Sequence, residues 1–366
     1  SGYRQASDTS AASFTDDLLN TSDTLEWVDY VFTPKILNPR TGLPYCLDGV
    51  KDSIRIWINP QPRINVSVIP DTIICDNDII TYSFTTPNTS TGIIRYMLTS
   101  VSNGYINGIS MNGVYDLIDL SDTLENTTDM VQNVTYTFTP FIDDARQGVS
   151  CYNGIPVSIT IYVNPTPKLS VSIPDTVYCD SSTFIITIND LLGDVEGVKV
   201  YELITSSSGP VTGYQPSNEY LAGIDIQDTL VNNTNTYQTV TYYLRARIMD
   251  DRVGTEGNYC NNGADTTIVI YLNPTPRIDV SADTLYCNGT PVDFTLNTNT
   301  DNVIGVIGYE LETTYNLIDI SGVSAAGDYF AVNDFTDIIA NSHDSIVRVI
   351  EYRFKPTIYD YRPGEK

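Results

Sequence analysis

The sequence predicts an all-β chain of tandem immunoglobulin-like β-sandwich domains in a linear array, and two observations carry that prediction. Segments of alternating apolar and polar residues, the period of half-buried strands, are separated by clusters of turn-forming residues. A four-residue marker returns at intervals close to the length of one sandwich domain. Composition agrees: Thr, Val, Ile and 26 Tyr favour strands, while Asn, Asp, 23 Gly and 19 Pro supply turns.

The marker is Asn-Pro-x-Pro, at Asn59-Pro60-Gln61-Pro62, Asn164-Pro165-Thr166-Pro167 and Asn273-Pro274-Thr275-Pro276, with intervals of 105 and 109 residues. Before each copy an alternating segment reads as a final strand: Ser53 to Ile58, Val157 to Val163, and Thr267 to Leu272. After each, Arg63 to Val68, Lys168 to Ile173 and Arg277 to Val280 read as the next domain's first strand. Two prolines fix φ and remove ladder donors, so the marker is expected to be a short, stiff linker. These cuts divide the chain into 1–59, the C-terminal part of a repeat; 60–164 and 165–273, two complete repeats; and 274–366, the N-terminal part of a repeat lacking its last strand. That division is expected of a window onto a longer repeated chain.

A second block is matched four times: Asp23-Thr24-Leu25 through Phe32-Thr33-Pro34, Asp122-Thr123-Leu124 through Phe138-Thr139-Pro140, Asp228-Thr229-Leu230 through Tyr243-Leu244-Arg245, and Asp344-Ser345-Ile346 through Phe354-Lys355-Pro356. Within it, Val134 to Phe138 and Val240 to Leu244 alternate as half-buried penultimate strands. Tyr359-Asp360-Tyr361-Arg362 aligns with Ile142-Asp143-Asp144-Ala145-Arg146 and Met249-Asp250-Asp251-Arg252.

A formal charge of −26 sets the partners that chemistry disfavours. Phosphate backbones need a basic surface, so nucleic acid is not expected as a partner, nor an anionic membrane. The sequence has no apolar stretch long enough to span a bilayer and no signal-peptide pattern at Ser1, as a mature extracellular fragment would look. Direct membrane insertion is therefore not expected.

Val134-Thr135-Tyr136-Thr137-Phe138-Thr139-Pro140, followed by a cysteine loop and a strand ending in Asn164-Pro165-Thr166-Pro167, resembles the PKD-like repeats of Bacteroidota surface proteins. Such repeats occur in giant adhesins and gliding-motility proteins exported by the type IX secretion system. The resemblance runs in register along essentially the whole chain. The 165–273 copy departs from it at Leu244-Arg245-Ala246-Arg247, where others have Phe-Thr-Pro or its like. It implies a β-sandwich, no catalysis, and a role as filament, stalk or adhesive surface.

The resemblance also implies O-glycans on Asp-Ser/Thr followed by an apolar residue or threonine. This tripeptide occurs at Thr24, Ser53, Thr72, Thr123, Thr176, Thr229, Thr266, Thr284 and Ser345. The structural alternative is an Asx or Ser/Thr turn entering a strand, and a turn is also where a sugar can be attached without disturbing a core. Triplets of the eukaryotic N-glycosylation type, such as Asn65-Val66-Ser67 and Asn133-Val134-Thr135, are expected by chance in a chain rich in Asn and Thr.

Six cysteines suit disulfides in an oxidising compartment; zinc is disfavoured by the lack of C-x-x-C and a single histidine. Three pairings are open. Cys46–Cys75, Cys151–Cys179 and Cys260–Cys287 would straddle the linkers, whereas Cys75–Cys151 and Cys179–Cys260 would lie within repeats. The third follows from assuming immunoglobulin-like strand order. The cysteine before the final strand then sits at one pole and the cysteine between the first two strands at the other, about 35 Å away along a ten- to twelve-residue strand. That order would make Cys75 and Cys260 neighbours across a head-to-tail junction.

Acidic pairs at Asp76, Asp78, Asp143, Asp144, Asp250 and Asp251 could supply oxygens to calcium. No EF-hand spacing accompanies them, and Arg146 and Arg252 follow the Asp-Asp pairs closely, so a local salt bridge or turn is preferred. His343, between Ser342 and Asp344, has no Gly-x-Ser-x-Gly elbow to work with. Aspartic-protease and phosphate-loop motifs are also lacking, so the chain is not expected to be an enzyme. Alternating aromatics such as Tyr136 and Phe138 read first as packing residues and second as a sugar-stacking surface.

The expected role is a structural or adhesive segment of a long secreted filament or stalk. Its expected partners are neighbouring repeats, other copies in a filament, and surface glycans. A passive spacer for a remote domain and a carbohydrate-binding array are the alternatives.

Overall fold

A computed structural model of the 366-residue chain describes residues 1–3, 13–144, 150–252, 259–315, 318–343 and 345–360. The described residues form strands, turns and loops with no α-helix, so none holds a helix long and apolar enough to cross a membrane. The chain falls into two units. The first comprises Ser1–Thr166 with Leu192–Glu196, the second Pro167–Leu191 with Gly197–Lys366.

In the first unit, the 60–164 copy is a two-sheet sandwich. One sheet orders Asn65–Ile69, Asp78–Thr85, Leu120–Asn126 and Ile106–Asn107; the other orders Gly113–Asp116, Ile93–Ser102, Gln132–Asp143, Val157–Val163 and Ile73–Ile74. The last pair is parallel and the rest antiparallel. Alternation does the folding. Val134, Tyr136 and Phe138 point inward to a core with Ile80, Tyr82, Tyr96, Leu98, Leu124 and Ile161, while Thr135 and Thr137 face out. The outward threonines pair across the ladder with Thr160 and Ser158, both at 2.9 Å. Upstream, Glu26–Phe32 pairs with Asp52–Ile58 as a two-stranded ribbon.

In the second unit, residues 167–191 and 197–273 repeat the plan. Leu169–Ser172, Thr183–Asp190 and Ile226–Thr229 form one sheet; Val177–Cys179, Asp265–Asn273, Gln238–Met249, Val198–Ser207 and Asn218–Leu221 form the other. Its core gathers Phe184, Ile186, Tyr201, Leu203, Val240, Tyr242, Leu244, Ile270 and Leu272. Downstream, Asp279–Ser281, Pro291–Asn297 and Phe335–Ile338 face Gly327–Tyr329, Val306–Tyr315 and Ile350–Tyr359 across a smaller core.

The tyrosines have assigned structural jobs. Tyr96 stacks on Tyr115, Tyr201 on Tyr220 and Tyr309 on Tyr329, with centroids 5.7, 5.6 and 5.1 Å apart. In each pair the second hydroxyl donates to the carbonyl four residues back, at Met111, Pro216 or Ala325. Each outer ring thus stays apolar on its face and satisfied at its tip, whereas the buried Tyr96 hydroxyl has no hydrogen-bond partner.

Candidate functional site

A recurring polar anchor lies inside the sandwich. The penultimate-strand tyrosine donates to an aspartate: Tyr136 to Asp122, Tyr242 to Asp228, Tyr352 to Asp337 and Tyr30 to Asp16, each at 2.5 Å. Asp122 also accepts from the backbone N–H and hydroxyl of Ser110, at 3.0 and 2.5 Å, and Asp337 does the same with Ser324 at 2.8 and 2.6 Å. Gln215 N–H serves Asp228 at 3.1 Å. Burial pushes the Tyr136, Tyr242 and Tyr352 hydroxyls up, and the neighbouring carboxylates reinforce the shift. Burial likewise raises Asp228, against the lowering effect of the bonds it accepts.

The anchor corrects the block alignment. Asp122 and Asp228 hold the anchor, but in the outer copies Asp16 and Asp337 do, rather than Asp23 and Asp344. Asp-Thr-Leu and Asp-Ser-Ile are local look-alikes a turn further on, whereas pairing with tyrosine is set by strand register. Asp344 itself lies outside the described residues, as do Arg146, Tyr361 and Arg362.

Just after the anchor an asparagine ties a turn to the final strand. Asn126 Nδ2 donates to Val163 and Met130 carbonyls, and Asn232 Nδ2 to Leu272 and Thr236, at 2.8 to 3.0 Å. Asn20 makes the same pair with Ile58 and Thr24. Asn126 and Asn232 are buried, and their Oδ1 atoms accept from Thr128 and Thr234.

That turn connects to the linker. The N–H of Asn126 donates to Asp76, whose other oxygen takes the hydroxyl of Thr166 at 2.5 Å. The N–H of Asn232 donates to Asp180, which takes Thr275 at 2.6 Å. The marker's threonine is thereby fastened to the copy it leaves, and its asparagine fastens a loop ahead. Asn273 donates to Ile304 O and accepts from Ile304 N–H, at 2.9 and 2.8 Å. In the first unit Asn59 does this with Thr91 Oγ1 and N–H, and Asn164 with Glu196 O and N–H. Backbone bonds support each clasp: Thr89 N–H to Asp23 O, Val131 N–H to Asp194 O, and Asp301 N–H to Asn235 O. Asn164 and Asn273 are buried, so these bonds are made away from water. The prolines are therefore not the linker's only restraint; the marker's repeated Asn and, twice, Thr carry the clasp in the sequence.

The nine candidate hydroxyls are dispersed. Thr24, Ser53, Thr123, Thr176, Thr229, Thr284 and Ser345 are exposed, while Thr72 and Thr266 are half-buried. Thr123 and Thr229 stand on strands, facing outward beside their inward anchor aspartates, and Thr229 bonds Thr183 across the ladder at 2.7 Å. Asp71 and Asp175 accept from the N–H of the next residue, Thr72 and Thr176, and Asp175 also accepts from Val177 N–H two residues on, the Asx geometry expected of a turn. At Ser53 the preceding Asp52 does the same.

Cys75 and Cys260 are disulfide-bonded, and Cys46, Cys151, Cys179 and Cys287 carry thiols. The straddling and within-repeat pairings each require a bond at cysteines that are thiols here. Cys151 and Cys260 instead sit where Ile142 and Ile248 of the long strands bridge to them. Burial raises the Cys179 thiol, with Asp180 and Asp360 adding to the effect.

The acidic candidates are engaged in structure. Asp76 serves the linker, Asp78 accepts from Cys75 N–H, Asp143 pairs with Arg95 at 2.9 Å and Asp250 with Arg252 at 2.7 Å. Thr91 donates to Asp144. Among the described residues no group of three or more His, Cys, Asp or Glu could hold a metal ion. His343 Nδ1 accepts from Ser345 N–H in a local turn.

Strand order and paired sheets define a class, tandem immunoglobulin-like β-sandwiches. Within it, residues 72–167 match a family model described as a PKD-like domain. No curated protein matches. Among solved structures the chain is similar to the Yersinia pseudotuberculosis adhesin InvE, at 15% identity over 64% of this chain and 68% of that one, with a TM-score of 0.23. It is also similar to the D00-D0 domain of Intimin (13%, 57% and 99%, 0.26) and to the ICAM-5 D1-D4 ectodomain fragment (11%, 92% and 95%, 0.35).

Proposed function

We propose that this chain is a structural and adhesive segment of a long secreted cell-surface filament or stalk, of the Bacteroidota type its sequence resembles. The observation that carries the reading is the clasped linker. A marker whose Thr is tied behind and whose Asn is tied ahead resists bending more than two prolines alone. Repetition of that device suits a chain that transmits tension or holds something at a distance. The PKD-like match over 72–167 supports the domain class.

Three details belong to the proposal. The exposed Asp-Thr/Ser hydroxyls carry O-glycans, to be sought by intact-mass and glycopeptide analysis of protein from its native host. Cys75 and Cys260 are held in disulfides in an oxidising compartment, to be sought by non-reducing peptide mapping; recovery of either as a free thiol would refute it. Neighbouring repeats and other copies are the partners. The clasp itself is tested by small-angle scattering on Asn273→Ala with Thr275→Val. A broadened distance distribution is expected at temperatures where the β-sheet circular dichroism is retained, with melting lowered by the loss of buried bonds, and an unchanged distribution would remove the clasp as the source of stiffness. A spacer for a remote domain remains the second reading, favoured by the same clasp, and the full gene separates the two.

A further inference from the structure

The chain has two tryptophans, and register brings them together. In the ribbon, Trp27 lies directly opposite Trp57 and Asp29 opposite Arg55. The indole centroids are 5.5 Å apart at an interplanar angle of 54°. Arg55 donates twice to Asp29, at 2.7 and 2.8 Å, and its guanidinium carbon lies 5.2 and 5.6 Å from the two indole centroids. Trp27 and Trp57 are 51% and 46% exposed.

This cluster is on the ribbon's solvent side. Val28, Tyr30, Phe32, Ile54, Ile56 and Ile58 occupy the other face, where Phe14 packs on Tyr30 and Phe32 and Asp16 accepts from Tyr30, with Phe32 and Ile54 half-exposed. Aligning Tyr30 with Tyr136 and Tyr242 by their anchor bonds shows what the fold itself requires outside. The complete copies place Asn133 and Tyr162, or Thr239 and Tyr271, where the ribbon has its indoles. Two tryptophans are therefore not demanded by the sandwich.

We propose that Trp27, Trp57, Arg55 and Asp29 form a binding platform for a neutral pyranose oligosaccharide external to the chain. Indole faces take up the C–H face of a sugar ring, and equatorial hydroxyls need donors and acceptors at the rim. The Arg55–Asp29 pair offers both, in an orientation fixed before binding. The pair neutralises itself and the chain carries −26, so an anionic ligand has no complement here. Area separates a sugar from a protein partner. Two half-exposed indoles offer on the order of 100 Å² each, well short of the roughly 800 Å² per side of a stable protein interface. The adjoining rung, Val31 opposite Ser53, adds one exposed aliphatic side chain and no aromatic surface. The proposal is independent of the filament reading: linker variants leave it untouched.

Because both tryptophans are in the platform, their emission reports on it alone. Cellohexaose, chitohexaose and laminarihexaose are titrated into the full chain, with heparin and anionic vesicles as contrasting arms. A saturable emission change with one of the three hexaoses is expected. Calorimetry should show about tenfold weaker binding for Trp57→Ala and Asp29→Asn, with Trp57→Phe retaining binding within about threefold. Absence of a saturable change up to about 10 mM of every hexaose overturns the proposal. Saturation by heparin or vesicles alone, or equal binding by Trp57→Ala and wild type, overturns it as well.

Discussion

The 60–164 copy and the 13–59 ribbon use the same inner chemistry and opposite outer chemistry. Both hang a strand tyrosine on an aspartate at 2.5 Å, and both tie an asparagine to the final strand. In the copy the anchor sits in a core of residues with almost no exposure, and its outer face is a threonine and serine ladder. In the ribbon the equivalent face carries two indoles and an ion pair. Positions that fold the repeat are held constant along the chain, and positions that face water are where copies diverge. Surface chemistry is therefore the place to look for what distinguishes one copy from another.

Alkali is the strongest way to break that comparison. Burial pushes Tyr96 and Tyr201 up to about 12 and raises Tyr82, Tyr136 and Tyr242 further. An unfolded chain releases these protons near pH 10, while the folded cores keep them. Above that point the unfolded state binds fewer protons, so stability falls as pH rises. Absorbance of tyrosinate near 295 nm is expected to rise for these rings only together with loss of the β-sheet circular dichroism. A smooth titration of all tyrosines in folded protein would refute it.

Removing the anchor comes next. Asp122→Ala leaves Tyr136 and Ser110 without a partner in a site that is 5% exposed, a loss of about 3 kcal/mol. Asp16→Ala, on the half-buried ribbon, is expected to cost under about 1 kcal/mol. Chemical denaturation of the two variants measures the difference, and equal losses would remove the distinction between copy and ribbon. On the outer face Thr135→Ala breaks one half-buried rung and is expected to cost no more than about 0.5 kcal/mol.

The smallest effect is a pair of opposite shifts inside the 165–273 copy. Asp228 is raised by burial, so its share of stability is greatest in acid and declines as pH rises from the usual carboxylate range through its raised value. Asp265 is lowered to about 2 by its bonds from Arg245 and Tyr243, so its share is present above the usual range and is lost as pH falls through 2. Carboxyl carbon shifts followed by NMR should separate the two; a coincident midpoint would contradict both environments.

Much of the architecture was legible from sequence because strands announce themselves locally. The expected strand over Val157 to Val163 coincides with the observed one, and Ser53 to Ile58 differs by one residue from Asp52–Ile58. What failed to show was whatever depends on register between distant segments. Asp16 finds Tyr30 through tertiary placement, whereas the nearer look-alike Asp23 sits in a turn. Trp27 and Trp57 are separated by a loop and become one feature only once their strands pair. The Asp-Thr tripeptides were visible as a pattern, but their aspartates divide between core anchors and turn caps for reasons that burial alone reveals.

The buried asparagine turns carry a practical consequence for making this protein. Asn20-Thr21-Ser22, Asn126-Thr127-Thr128 and Asn232-Asn233-Thr234 all have the form that a eukaryotic oligosaccharyltransferase reads on a nascent chain. In the folded protein the amide nitrogens of Asn126 and Asn232 are spent on two carbonyls each and have no room for a sugar. An enzyme acting before folding would meet no such protection. Production through a yeast or mammalian secretory pathway would place a bulky glycan where the final strand must dock, whereas a bacterial host lacking that enzyme leaves the turn able to close.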